Sequence, residues 1–318
     1  MKRALARLDE FQQRTPWLAF PLAVVKKFGD DSAGNLAAIL AWSAMAAIFP
    51  LLLVLVTVLG IVLRHDASLS TRIVNSAFVQ FPVIGKQIRE NVHSLDRVGF
   101  GLVIGLVGTF LGARGVASAA QNALNSVWEV PKDRRPKFPW NQLRSITLVL
   151  VMGIGIIVTT TLSGLGGGAG GIGIGLRVGA LLGAFALNVL LFSLTFRLAT
   201  APEVQWHDLW LGAFLTAIVW QILQTLGGFI VAHSLKNMSD VYGTFALVLG
   251  LMSWLYLQAQ LTLYAIEADV VRARGLWPRT FFGNGTTDVD KQALTSYGKV
   301  EERMPEERVD VDFEPTRD

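Results

Sequence analysis

No cysteine occurs anywhere in the 318 residues, which excludes a disulfide framework and all thiol chemistry. Charge is scarce: 16% of the residues are Asp, Glu, Lys or Arg, where an ordinary soluble domain carries about 25%. The four histidines, His65, His93, His207 and His233, are too scattered to read as a metal site, and no HxH, HExxH or paired-acid motif occurs in the apolar core. A metal-dependent nuclease therefore has no place to hold its ion, so no metal, no cofactor and no catalytic residue is expected. Nucleic acid is not an expected partner. The run Gly164 to Gly175, eight glycines in twelve residues, lacks the Gly-Lys-Ser/Thr ending of a phosphate-binding loop and reads as a hairpin. The first 20 residues hold no continuous apolar core, which argues against a cleavable signal peptide.

What the chain does have is apolar sequence in long blocks, each near the roughly 20 residues that cross a bilayer as a helix. They run Leu36 to Leu63, Gly99 to Gly112 (continued by the small and polar residues Gly115 to Val127), Leu143 to Leu165, Leu176 to Leu198, Leu209 to Val231 and Tyr242 to Val271. The fold expected is all-α: a polytopic membrane bundle of six transmembrane helices with amphipathic interfacial and external helices. Pro50, midway along the first block, is the expected kink.

Three domains follow. Residues 1–34 form a cytoplasmic amphipathic segment, with Leu5, Leu8 and Phe11 on one face and Trp17, Phe20, Leu22 and Val25 after Pro16. Residues 35–275 form the membrane domain, whose segment 64–98 is an external amphipathic cap carrying Ile84, Ile88, Val92 and Leu95 at helical spacing. Residues 276–318 are cytoplasmic, acidic and expected to be disordered, with ten carboxylates from Asp288 to Asp318. With both ends inside, 21 Lys and Arg lie on the cytoplasmic side and 7 outside, in keeping with the positive-inside bias. The five external basic residues of 64–97 pull against it.

Three stretches carry a likeness to a known family. The first block opens Gly34-Asn35-Leu36-Ala37-Ala38 and passes through Ile48-Phe49-Pro50-Leu51-Leu52. The second runs from Arg114-Gly115-Val116-Ala117 to Ala123-Leu124-Asn125-Ser126-Val127-Trp128. The last begins Val241-Tyr242-Gly243-Thr244 and continues through Ser253-Trp254-Leu255-Tyr256-Leu257 to Ala265-Ile266-Glu267-Ala268. In order and spacing these resemble the YihY/BrkB family of bacterial inner-membrane proteins, which includes the YhjD type and once carried the label ribonuclease BN. The likeness covers roughly Val24 to Arg274. One departure is Tyr264-Ala265-Ile266 before Glu267, where the family usually has a Gly. The resemblance implies an envelope role, including proposed lipid transport, and treats the ribonuclease label as a misassignment.

Within the blocks, several residue sets invite a role. Gly101 and Gly105, Gly108 and Gly112, and Gly175, Gly179 and Gly183 recur at four-residue spacing, which puts small residues on one helix face. That suits close packing within one bundle, a homodimer contact through the fourth helix, or movement. Arg114, Glu267 and Asp269 are ionisable residues in apolar helices, where an uncompensated charge costs on the order of 3 kcal/mol. Arg114 and Glu267 either pair between helices or snorkel separately to the interface. Asn122, Asn125, Gln221 and Gln258 either hydrogen-bond across helices or line a hydrated cavity. With Arg114 and Glu267 they make the candidate substrate-binding set for the head group of an amphiphile. Trp128, Trp140, Trp206, Trp210 and Trp277 suit an interfacial belt, and Arg134, Arg135 and Lys137 suit anionic head groups. The leading function is translocation of a lipid or lipid-like amphiphile in the inner membrane; the alternative is a noncatalytic scaffold for envelope proteins. Membrane lipids, a homodimer and envelope proteins are the partners considered.

Overall fold

The structure, a computed structural model, describes residues 2–63, 98–167, 174–280 and 287–314. The external cap expected at 64–98 and part of the glycine hairpin lie outside the described residues. Among the described residues the chain is all helical: α1 (Lys2–Arg14), α2 (Pro16–Asp30), α3 (Ala33–Leu63), α4 (Val98–Val127), α5 (Trp140–Gly167), α6 (Ile174–Ala199), α7 (Trp210–Arg274) and α8 (Asp288–Val300), with a short 3-10 turn at Trp206–Asp208. Three stretches among them are long and apolar enough to cross a membrane: Ala33–Val54, Val103–Val127 and Leu182–Ala199. Leu106, Phe110, Leu111, Leu182 and Leu190 on these stretches stand exposed, which is what lipid-facing surfaces require.

The first four apolar blocks each fall in a helix of their own, and α3 continues through Pro50. The fifth and sixth fall in the one helical run α7. A straight helix would hold Gly212 and Asp269 about 85 Å apart at 1.5 Å per residue. Yet a Cβ placed on Gly212 would collide with the Asp269 carboxylate and lie 2.9 Å from the Ala265 carbonyl oxygen. The two ends of α7 therefore lie side by side and the chain reverses between them, so this run supplies two antiparallel arms.

The chain divides into two compact units. The first comprises Met1–Ala37, Ala120–Val219 and Gln260–Asp318; the second comprises Ala38–Ala119 and Trp220–Ala259. In the second unit, α3 and α4 pack through the glycine stripe. A Cβ would come within 3.0 Å of Val54 at Gly105, 2.8 Å of Pro50 at Gly108 and 2.8 Å of the Ala47 Cα at Gly112. The partners descend as the glycines ascend, so the helices are antiparallel, and backbone meets backbone only because no side chain intervenes. Gly101 lies in α4, but its surroundings are outside those described.

The equally spaced Gly175, Gly179 and Gly183 of α6 behave differently: a Cβ on any of them meets open space. Among the described residues nothing packs closely on them, because periodicity defines a face and not what covers it. Two alanine substitutions should accordingly have opposite signs. Gly112→Ala drives a methyl group into the α3 backbone and should destabilise by about 1–3 kcal/mol. Gly179→Ala meets nothing and should gain about 0.5–1 kcal/mol from helix propensity. Thermal unfolding of the purified variants in detergent checks this, and equal effects would refute the packing.

In the first unit α5 and α6 form an antiparallel pair, closed where Gly155 receives Leu191 and Thr195 Oγ1 donates to Met152 Sδ at 3.0 Å. The N-terminal segment departs from expectation. Instead of lying wholly in an interface, α2 buries Ala19, Ala23, Val24, Lys27 and Phe28, one helical face, against protein. Phe28 stacks on Tyr264 at 3.8 Å between ring centroids.

The acidic end departs further. Disorder was expected from its composition, but Thr287 caps α8 through a reciprocal capping box with Asp290, and Ala293 of that helix is fully buried. A Cβ on Gly298 would touch Val311, so the chain after α8 folds back over it.

Candidate functional site

The polar interior of the first unit centres on Lys27, whose side chain is 0% exposed. Its ammonium reaches Asp31 Oδ2 at 2.5 Å, Glu129 Oε1 at 2.8 Å and Glu267 Oε2 at 3.7 Å, and donates to the Val127 carbonyl oxygen at 3.2 Å. The Tyr297 ring lies 5.3 Å from it. Arg274 closes the other flank, its guanidinium bonded to Glu129 Oε2 and to the Trp128 carbonyl oxygen. Four segments distant in sequence thus meet: the end of α2, the end of α4, the last turns of α7, and α8.

Local backbone chemistry explains how Glu129 arrives there. Helix α4 ends in paired bonds from Glu129 N–H to the Ser126 oxygen and from Val130 N–H to the Asn125 oxygen, the pattern that places the residue after the helix in the left-handed region. Glycine ordinarily fills that position, but here it is Glu129 at φ 50°. A side chain there costs roughly 1–2 kcal/mol, so the two ion pairs of its carboxylate offset the strain.

Two cations, Lys27 and Arg274, face three carboxyl groups, Asp31, Glu129 and Glu267. Burial pushes Lys27 down, but the neighbouring Glu267, Asp31 and Glu129 overturn this and hold its ammonium well above the ordinary range. Burial raises Asp31 above the usual carboxylate range against the pull of Lys27. It also raises the Tyr297 hydroxyl far up, with Lys27 opposing and Asp31 and Glu129 adding to the rise. The cluster is one cation short of balance.

A second ion cluster sits beside the first. Asp290 accepts from Lys26 Nζ at 2.8 Å, Arg279 Nε at 2.9 Å, Thr280 N–H at 3.1 Å and Thr287 Oγ1 at 2.8 Å, while Arg279 also reaches Asp30 at 2.9 Å. Gln12 of α1 donates to the Arg279 carbonyl oxygen at 2.7 Å. Together these tie both ends of the described chain to the same place.

The residues expected to bind substrate fall in both units. Glu267 and Asn125 lie buried in the first. The cation that meets Glu267 is Lys27, because α2 docks against the last turns of α7. Asn125 donates to the oxygens of Gln121 and Ala199 and accepts from Ala201 N–H, and Gln121 donates to Ser145, so these amides join helices. Asn122 is exposed and accepts from Arg135, whose guanidinium folds back on the end of α4. Arg114 and Gln258, both half-buried, and exposed Gln221 belong to the second unit. Trp128 is buried at 3% exposure, unlike exposed Trp140, Trp206 and Trp210. Asp269 faces the first-turn N–H groups of Leu211 and Gly212, which explains why glycine stands at 212. Among the described residues, no group of three or more His, Asp or Glu side chains could hold a metal ion.

Comparison with known proteins places this architecture. The model of the family described as virulence factor BrkB matches residues 24–279, from α2 to the Arg279 cluster. The chain belongs to that family. It is also 26% identical over 276 residues to the UPF0761 membrane protein RSc1559 of Ralstonia nicotianae (strain ATCC BAA-1114 / GMI1000), an alignment covering 81% of this chain and 60% of that protein. No solved structure matches. The membrane assignment thus rests on both the family and the apolar helices. Of the ion clusters, Lys27, Asp31, Glu129, Glu267 and Arg274 fall inside the matched region, whereas α1 and α8 fall outside it.

Proposed function

We propose that this BrkB-family membrane protein moves a lipid or lipid-like amphiphile within the bacterial inner membrane without catalysing a reaction, and that the Lys27 cluster is the latch at its cytoplasmic end. In this reading six helices span the bilayer, with the two arms of α7 as the fifth and sixth. The observation that carries it is a fully buried lysine between three carboxyl groups from separate segments.

Burying such charges brings little stability, since their desolvation roughly cancels their attraction, and apolar residues of similar size would hold the fold as well. What ion pairs offer instead is the ability to exchange partners when helices shift, as a carrier that opens to one side and then the other requires. A scaffold has less use for charges hidden from every partner. The docking of α8 on its own chain also leaves less of the acidic end available to other proteins.

The test is reconstitution into vesicles holding a fluorescent phospholipid on both leaflets, with a membrane-impermeant quencher added outside. Active protein should bleach the inner-leaflet label at least about tenfold faster than empty vesicles. If wild-type vesicles bleach no faster than empty ones across anionic and zwitterionic lipids, the transport reading fails.

A further inference from the structure

We infer that Arg144 and Arg197 form a binding site for the phosphate of an anionic lipid head group. The two side chains come from adjoining helix ends in the first unit, Arg144 from the second turn of α5 and Arg197 from the last turn of α6. Arg144 Nη1 donates to the Thr200 carbonyl oxygen at 3.1 Å, and Arg197 Nη1 donates to that of Ala201 at 3.5 Å. The two guanidinium groups thus converge on consecutive carbonyls.

What singles the pair out is two cations on neighbouring carbonyls with no carboxylate between them. Lys26, Lys27, Arg274 and Arg279 of this unit meet carboxylates, while Arg135 and Arg272 each cap carbonyl oxygens without a second cation bonded to the neighbouring carbonyl. Among the described residues, Arg144 and Arg197 form no ion pair, and each is half-buried. Two half-buried like charges side by side are unfavourable unless an anion joins them.

Capping the end of α6 accounts for one cation there. It does not account for two, the first of which stands near the N-terminus of α5, where the helix dipole disfavours a cation and favours an anion. Each guanidinium presents five donors, so most remain free for the planar, two-pronged recognition that phosphate oxygens accept. The surroundings give the depth. Exposed Phe138 and Trp140 stand at the start of α5, aromatic rings of the kind that settle at the head-group level.

The site concerns lipid binding and rests on the transport reading only for what the bound lipid is for; binding in detergent, without any flux, keeps the two separable. The full chain in neutral detergent is titrated with short-chain phosphatidylglycerol, short-chain phosphatidylcholine and inorganic phosphate, and binding is read by native mass spectrometry. Phosphatidylglycerol should bind most tightly. Replacing both arginines by glutamine should weaken it about tenfold, equivalent to about 1.4 kcal/mol. The double lysine variant keeps charge and carbonyl contacts but not the planar fork, so it should bind between the two while eluting as a single folded species. Arg308→Gln, the same change of charge on the exposed C-terminal stretch, should bind as the wild type does. Undiminished binding in both double variants overturns the site. Phosphatidylcholine binding as tightly as phosphatidylglycerol overturns the anionic assignment, and inorganic phosphate competing equally overturns the lipid assignment.

Discussion

Lys27→Met should unfold or strongly destabilise the protein, whereas Glu267→Gln, which alters the same ion pair from the other side, should be tolerated. The asymmetry follows from charge balance. Lys27 and Arg274 face Asp31, Glu129 and Glu267, and all of these but Arg274 are closed off from solvent. Removing the lysine leaves one cation for three carboxyls, and breaking a buried pair in this way costs about 3–5 kcal/mol, a large share of the roughly 5–15 kcal/mol by which a folded chain is stable. Removing the Glu267 charge leaves two carboxylates for two cations. The double variant, Lys27→Met with Glu267→Gln, restores the wild-type imbalance and should recover much of the loss. Heating followed by size-exclusion chromatography of the soluble fraction measures all three. Equal destabilisation by the two single changes would mean that the cluster acts through shape and not through charge.

The sequence displays some of these features and conceals others, for identifiable reasons. The apolar blocks are visible because a bilayer demands length and continuity, both local properties. The contact of α3 with α4 is legible in the spacing of Gly105, Gly108 and Gly112, yet the same spacing at Gly175, Gly179 and Gly183 marks a surface that no described residue covers. Glu267 was conspicuous as a charge among apolar residues, but its partner lies 240 residues away, and no local period encodes such a pairing. Lys27 offered a signal that was missed: it shares a helical face with Ala19, Ala23, Val24 and Phe28, so it is a cation on the apolar side of α2. Glu129 offered none, since its importance comes from a left-handed backbone that no residue type announces. The end of the chain misled through averaging. Ten carboxylates suggest a solvated tail, but Thr287 followed three residues later by Asp290 is a helix-start signature, and Asp290 meets both Lys26 and Arg279.

Asp290→Asn should release α8 from the rest of the first unit. The carboxylate accepts from Lys26, Arg279, Thr280 and Thr287 while 3% of the residue is exposed. An amide keeps the shape but presents one oxygen and no charge to two cations, so a local loss of about 3–5 kcal/mol is expected. Thr287→Ala removes only the cap and should cost about 1 kcal/mol, which separates the ion cluster from helix capping. The same carboxylate sets a pH dependence. Burial pushes Asp290 upward, but the bonds from Lys26, Thr287, Thr280 and Arg279 prevail and hold it far below the usual carboxylate range. A group depressed in the folded state contributes its full stability above its unfolded pKa of about 3.9 and loses it as the pH falls below that value. Docking of α8 should therefore be unchanged between pH 7 and pH 5 and weaken progressively below pH 4. Hydrogen exchange across residues 288–300 reads both effects: protection in the wild type at pH 5, its loss in Asp290→Asn at the same pH, and partial loss in Thr287→Ala. Equal protection in wild type and Asp290→Asn would show that α8 is held by its apolar contacts, Ala293 foremost, and not by the Asp290 ion cluster.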